Sequence, residues 1–115
     1  MAVTVVNYVV RPDLGGKFVV LVPRSGDGDT VILFSDFSRD SQHAHIVRRW
    51  LAALKTDLTH LGMRVEGGGW WRYQPDSGLL RLYGDSAAYG KYDSRRLNGS
   101  LEPGSVFSEQ HISFE

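Results

Sequence analysis

A chain of 115 residues with 13 basic and 13 acidic side chains has the length of one domain. It carries no net charge to draw it broadly to nucleic acid or anionic lipid. Its lack of cysteine excludes disulfides, thiolate metal ligands and a cysteine nucleophile, and fits a cytoplasmic setting.

No apolar run approaches the roughly 18 residues of a membrane span, and the N-terminus carries no signal-peptide pattern. In chain order, Val3 to Val10 is rich in β-branched residues and predicts a strand. PDLGG breaks it, and Lys17 to Arg24 reads as its hairpin partner. After the loop SGDGD, Thr30 to Phe37 is an apolar run suited to the inside of a sheet. The period then changes. Apolar residues at Ile46, Val47, Trp50, Leu51, Leu54, Leu58 and Leu61 fall on one helix face. Asp40 or Ser41 is placed to cap its start and Gly62 to end it. Met63 to Gln74 and Leu79 to Gly84 straddle the turn signal PDSG and predict a hairpin. Asn98-Gly99 and Pro103-Gly104 disfavour a second long helix, and Ser105 to Phe114 supplies a last strand. The order βββαββ followed by a late strand predicts an α/β fold of the α+β type. Residues 1–115 then form a single domain, a mixed sheet of about six strands packed on one long helix.

The stretch LYGDSAAYG, Leu82 to Gly90, leaves the fifth strand as a chain of small residues. A loop this poor in side chains is suited to offering backbone N–H groups to an anion. Two histidines open the helix. At about 100° per residue, His43 aligns with Ile46, Trp50, Leu54 and Leu61, whereas His45 faces water. The first-turn amides beside His43 have no intrahelical partner, and with the helix dipole they make a phosphate site. The positive end of that dipole also favours neutral imidazole, the form able to act as nucleophile or general base. Lys17 offers a cation for phosphate oxygens, or else guards a strand edge. The Ser86 hydroxyl either donates to phosphate or closes a turn on its own backbone. In WWRY, alternation buries one tryptophan and exposes the other. Neutral charge argues against base stacking there. His60 and His111 read as structural. No His/Asp/Glu spacing matches a metal site.

H-A-x-I opening a helix, G-G-G entering a strand and Y-G-x-S-x-A-Y-G leaving the next strand resemble the phosphohistidine phosphatase (Janus/Ocnus) family. A lysine early in the second strand, here Lys17, fits as well, and the similarity runs from about Gly15 to Tyr92. The resemblance implies a small metal-independent enzyme, without cofactor, that removes phosphate from phosphohistidine. It implies His43 as the catalytic residue. It also implies a phosphate site built from Lys17, the amides around His43 and Ala44, and Ser86 and Ala88 of the loop. Trp70 stands where the family often carries arginine, and His45 where it often carries aspartate. The partner implied is a phosphohistidine-containing protein or a small phosphoramidate, with no nucleic acid or membrane, and the chain is expected to act as a monomer. The competing expectations are a non-catalytic phosphate or phosphopeptide binder of the same fold and a plain interaction domain.

Overall fold

The computed structural model describes residues 3–9, 12–26, 28–37, 42–74, 76–77, 79–93 and 111–114. The strands are β1 (Val3–Asn7), β2 (Gly16–Pro23), β3 (Thr30–Asp36), β4 (Met63–Gln74), β5 (Leu79–Tyr83) and β6 (His111–Phe114). They form one six-stranded mixed sheet in the order β1-β3-β2-β4-β5-β6. Between β3 and β4 lie two helices, α1 (His43–Leu54) and α2 (Leu58–Leu61). The α+β architecture and the β4–β5 hairpin follow the sequence pattern.

β1 departs from its expected place. It is not the hairpin partner of β2 but pairs in parallel with β3, Val5 opposite Ile32. Both edges of β2 are already taken, by β3 on one side and β4 on the other. The cause lies in side-chain patterning. Phe18 to Val22 is apolar throughout and buried on both faces, as a central strand must be. β1 exposes Thr4 and Asn7 and suits the outside of the sheet. The chain reaches β2 through a 3₁₀ turn at Pro12–Leu14 and Gly15, whose φ of 72° favours glycine.

Alternation along β2 divides the interior into two layers. Val19 and Leu21 point to one face and pack with Leu33, Ile46, Val47 and Trp50, so α1 covers this side. Phe18, Val20 and Val22 point to the other face and pack with Phe34, Trp71, Leu80, Leu82 and Tyr92. Two polar tips in that second layer are satisfied, because Trp71 Nε1 donates to the Ser35 carbonyl at 2.9 Å and the Tyr92 hydroxyl donates to the Leu82 carbonyl at 2.9 Å. A buried tryptophan of this kind contributes about 3–5 kcal/mol relative to alanine.

The single long helix expected through Leu61 is instead two helices. Lys55 turns left-handed with φ 56°, and the Thr56 amide folds back onto the Leu51 carbonyl at 3.2 Å. Asp57 then offers its own carboxylate to the His60 amide at 2.8 Å and starts α2 as its N-cap. An aspartate able to cap competes with continuing helix, and here the cap prevails. Leu54 is consequently 49% exposed and Leu61 37% exposed, so the apolar face closes near Trp50. Gly62, at φ 66°, ends α2 in the left-handed conformation expected of it. The N-cap of α1 is Gln42, with no side-chain cap bond. Asp40 and Ser41 lie outside the described residues, as do residues 105–110 of the predicted last strand. β6 itself runs parallel to β5, with Leu79 opposite His111.

Candidate functional site

The N-terminus of α1 sits on the helix-covered face of the sheet, over β4 and the start of β2. His43 is the first helical residue, and it is 5% exposed. Its Nε2 lies 2.8 Å from the Gly69 carbonyl oxygen. A carbonyl only accepts, so Nε2 carries the proton and donates it. The lone pair of the neutral ring is then on Nδ1. Burial lowers the imidazole pKa below its ordinary 6.5, and positive Lys17 lowers it further. The Gly69 hydrogen bond and the Asp85 charge oppose that shift without reversing it. At neutral pH the ring is therefore uncharged.

Gly68 of β4 makes this approach possible. A Cβ on Gly68 would lie 2.7 Å from His43 Cδ2 and 2.7 Å from the Phe18 carbonyl oxygen. One on Gly67 would lie 2.5 Å from the Lys91 carbonyl carbon. Beyond Trp70, β4 pairs with β5, but along the glycines it meets the returning loop instead. The Gly68 amide donates to the Gly90 carbonyl at 3.1 Å, beside a parallel bridge between Gly68 and Lys91. Histidine, strand and loop thus approach within backbone distance of each other.

A cavity of about 430 Å³ opens beside His43, and Lys17, Ala44 and Ala88 share its wall. These four candidates from the sequence are brought together. Ser86 is not in that wall. It is 3% exposed, and its Oγ accepts the Ala88 amide at 3.2 Å and the Tyr89 amide at 3.1 Å. Its backbone exchanges two bonds with Gly90, at 3.0 and 2.8 Å. These bonds close the turn, one of the two roles predicted for Ser86. The loop also offers fewer amides than its composition suggests, because the Ala88 N–H is engaged by Ser86. The Ala87 amide, beside the cavity, makes no hydrogen bond among the described residues. On the helix side, the His43 and Ala44 amides belong to the unpaired first turn.

Lys17 is the second residue of β2 and lies opposite Trp70 of β4. Its Nζ stands 4.7 Å from the centroid of the Trp70 ring, a cation–π contact worth about 0.5–1 kcal/mol. Trp70 is half-buried, tilted against Phe37 at a centroid distance of 5.5 Å, and it lines the cavity. Alternation separates the tryptophans as expected, since Trp71 is 1% exposed in the opposite core layer. His45 is exposed and takes no part in the cavity wall. His60 has a partner that the sequence pattern left unidentified. Its Nδ1 lies 2.9 Å from Asp57 Oδ1, the cap of α2. The side chain of His111 lies outside the described residues.

Asp85 and Gln42 also face the cavity, and neither was singled out from sequence. Asp85 had a visible signal, as the one charged residue of LYGDSAAYG. Among the described residues, no group of three or more His, Cys, Asp or Glu side chains is placed to hold a metal. No helix among them is long and apolar enough to cross a membrane.

The sequence model of the Janus/Ocnus family (Ocnus) matches residues 15–109. No curated protein matches the chain significantly. The matched span contains His43, Lys17, the three glycines and the whole of the loop.

Proposed function

The chain belongs to the Janus/Ocnus family, and on that premise we propose that it is a metal-independent phosphatase acting on phosphohistidine. The observation that carries this reading is the His43–Gly69 hydrogen bond. It holds a neutral imidazole beside Lys17 with the lone pair on Nδ1. The phosphoryl group would lie in the cavity with its oxygens toward Lys17 and the first-turn amides of His43 and Ala44. Ala87 and Ala88 would close it from the loop side, with Ser86 bracing the loop from beneath.

From there Nδ1 either attacks phosphorus directly or takes a proton from an attacking water. In both routes the P–N bond breaks and its electron pair returns to the leaving nitrogen. In the first, the phosphoryl group passes to Nδ1 and is released when water attacks phosphorus. In the second, water supplies the new P–O bond in a single step. Lys17 and the amides would offset the negative charge that gathers on the phosphoryl oxygens in either transition state. The protein would work as a monomer in the cytoplasm, on a phosphohistidine-containing protein or a small phosphoramidate.

Turnover of chemically phosphorylated polyhistidine by the purified chain, with and without chelator, tests the reading. The expected result is release of phosphate that chelator leaves unchanged. Phosphate binding seen by NMR without any turnover would favour a non-catalytic phosphate-binding module of the same fold.

A further inference from the structure

We propose that Asp85 selects substrates whose leaving nitrogen is cationic, so that this pocket is matched to an N-phosphorylated imidazolium rather than to a phosphate ester. The proposal rests on the phosphatase reading above and assigns the leaving-group side of the same pocket. A site meant only for phosphate gains nothing from a carboxylate at its wall, since like charges repel. Yet Asp85 lines the cavity together with Lys17, His43 and Trp70. Its charge is close enough to His43 to oppose the effect of Lys17 on the ring. The carboxylate is exposed, and it makes no hydrogen bond or ion pair among the described residues. The nearby Lys91 ammonium donates instead to the Gly84 carbonyl at 3.1 Å. Gly84, at φ 74°, turns the chain immediately before Asp85.

The cavity wall is therefore dipolar. Lys17 and the helix amides suit an anion, Asp85 suits a cation, and the Trp70 indole supplies an apolar wall between polar groups. A phosphoryl group bonded to a protonated, planar nitrogen ring has this same division of charge. The chemistry gives the carboxylate a purpose. With the ring protonated at its far nitrogen, P–N cleavage returns the bonding pair to the leaving nitrogen and a neutral imidazole departs. Unprotonated, the same ring would have to leave as an anion. A neighbouring carboxylate favours the protonated form. A phosphate ester has no such proton to hold, and its leaving oxygen gains negative charge that Asp85 would oppose.

The test compares kcat/KM of the full chain on a phosphohistidine peptide and on p-nitrophenyl phosphate, in wild type, Asp85→Asn and Asp85→Glu. Asp85→Asn is expected to lower the ratio of the two by about fivefold or more, and Asp85→Glu to keep most of it. Wild-type turnover with a ratio unchanged in Asp85→Asn overturns the inference and leaves the phosphatase reading standing. A loss shared equally by both substrates overturns it as well, by reducing Asp85 to a structural role. A chain inert toward both substrates overturns the phosphatase reading and this inference with it.

Discussion

His43 donates through Nε2 to the Gly69 carbonyl at 2.8 Å, and this bond determines which ring nitrogen is left for chemistry. A strand carbonyl cannot change its role, so the tautomer is held by the sheet rather than by a second titratable group. Nitrogen-15 shifts of the His43 ring should accordingly show a protonated Nε2 and a bare Nδ1 at neutral pH. The opposite tautomer would detach the ring from the strand.

The acid limb of the rate follows from the same ring. Burial above all lowers the His43 pKa from 6.5, with Lys17 adding to it against the opposing Gly69 hydrogen bond and Asp85 charge. In the proposed mechanism the neutral form is the active one, so the rate should hold as pH falls through 6.5 and drop only at lower pH. The linked effect on stability has a definite sign. Between the lowered folded value and the unfolded value, the unfolded chain binds more protons. The contribution is therefore complete above 6.5 and is lost as pH falls through the folded pKa. A rate profile whose acid limb lies above 6.5 would contradict this.

Gly68→Ala should damage both fold and site. The added methyl would sit 2.7 Å from His43 Cδ2 and from the Phe18 carbonyl oxygen. The carbonyl belongs to the central strand and cannot swing away. Overpacking of this kind costs about 1–3 kcal/mol, read as a lower denaturation midpoint. Activity at a temperature where the variant remains folded should fall as well, because the ring must leave Gly69 to make room.

Lys17→Ala and Ser86→Ala should separate binding from bracing. In the proposed site, removing Lys17 would take away a charge-assisted contact worth roughly 1.5–3 kcal/mol to bound phosphate, with little change in the thermal midpoint. Removing the Ser86 hydroxyl leaves the Ala88 and Tyr89 amides without their acceptor. That variant should lose stability and show faster amide exchange at Ala88 and Tyr89, with activity falling through loop disorder. Equal stability losses in the two variants would contradict the division.

Local period was enough to read most of the elements, the inward face of His43 and the β4–β5 hairpin. Pairing was less legible. Nothing within Val3 to Val10 states whether its neighbour is β2 or β3. That depends on β2 having both edges occupied, which is a property of the whole sheet. The break at Lys55 was hidden because Leu58 and Leu61 continue the helical spacing, while the cap at Asp57 lies within it. At the site, Lys17, His43, Ala44 and Ala88, which share the cavity wall, were singled out through the resemblance of their motifs to the family, since Lys17 read alone equally well as a strand-edge lysine. The role of Gly69 was not, because it is a carbonyl acting across 26 residues of chain. The Ser86 hydroxyl had two readings in sequence, and its turn-closing bonds to the Ala88 and Tyr89 amides are made only in the packed loop.

The central claim is that His43, held by Gly69 and facing the cavity, carries the reaction, while its neighbour two residues away does not. His43 is buried at the cavity, and His45 is exposed outside it. The decisive measurement is the rate of phosphate release from phosphorylated polyhistidine by His43→Ala and His45→Ala, each first shown to unfold cooperatively. Loss of turnover in His43→Ala beside near wild-type turnover in His45→Ala is the result predicted. Comparable rates in the two variants, or an active His43→Ala beside an inactive His45→Ala, would contradict the account.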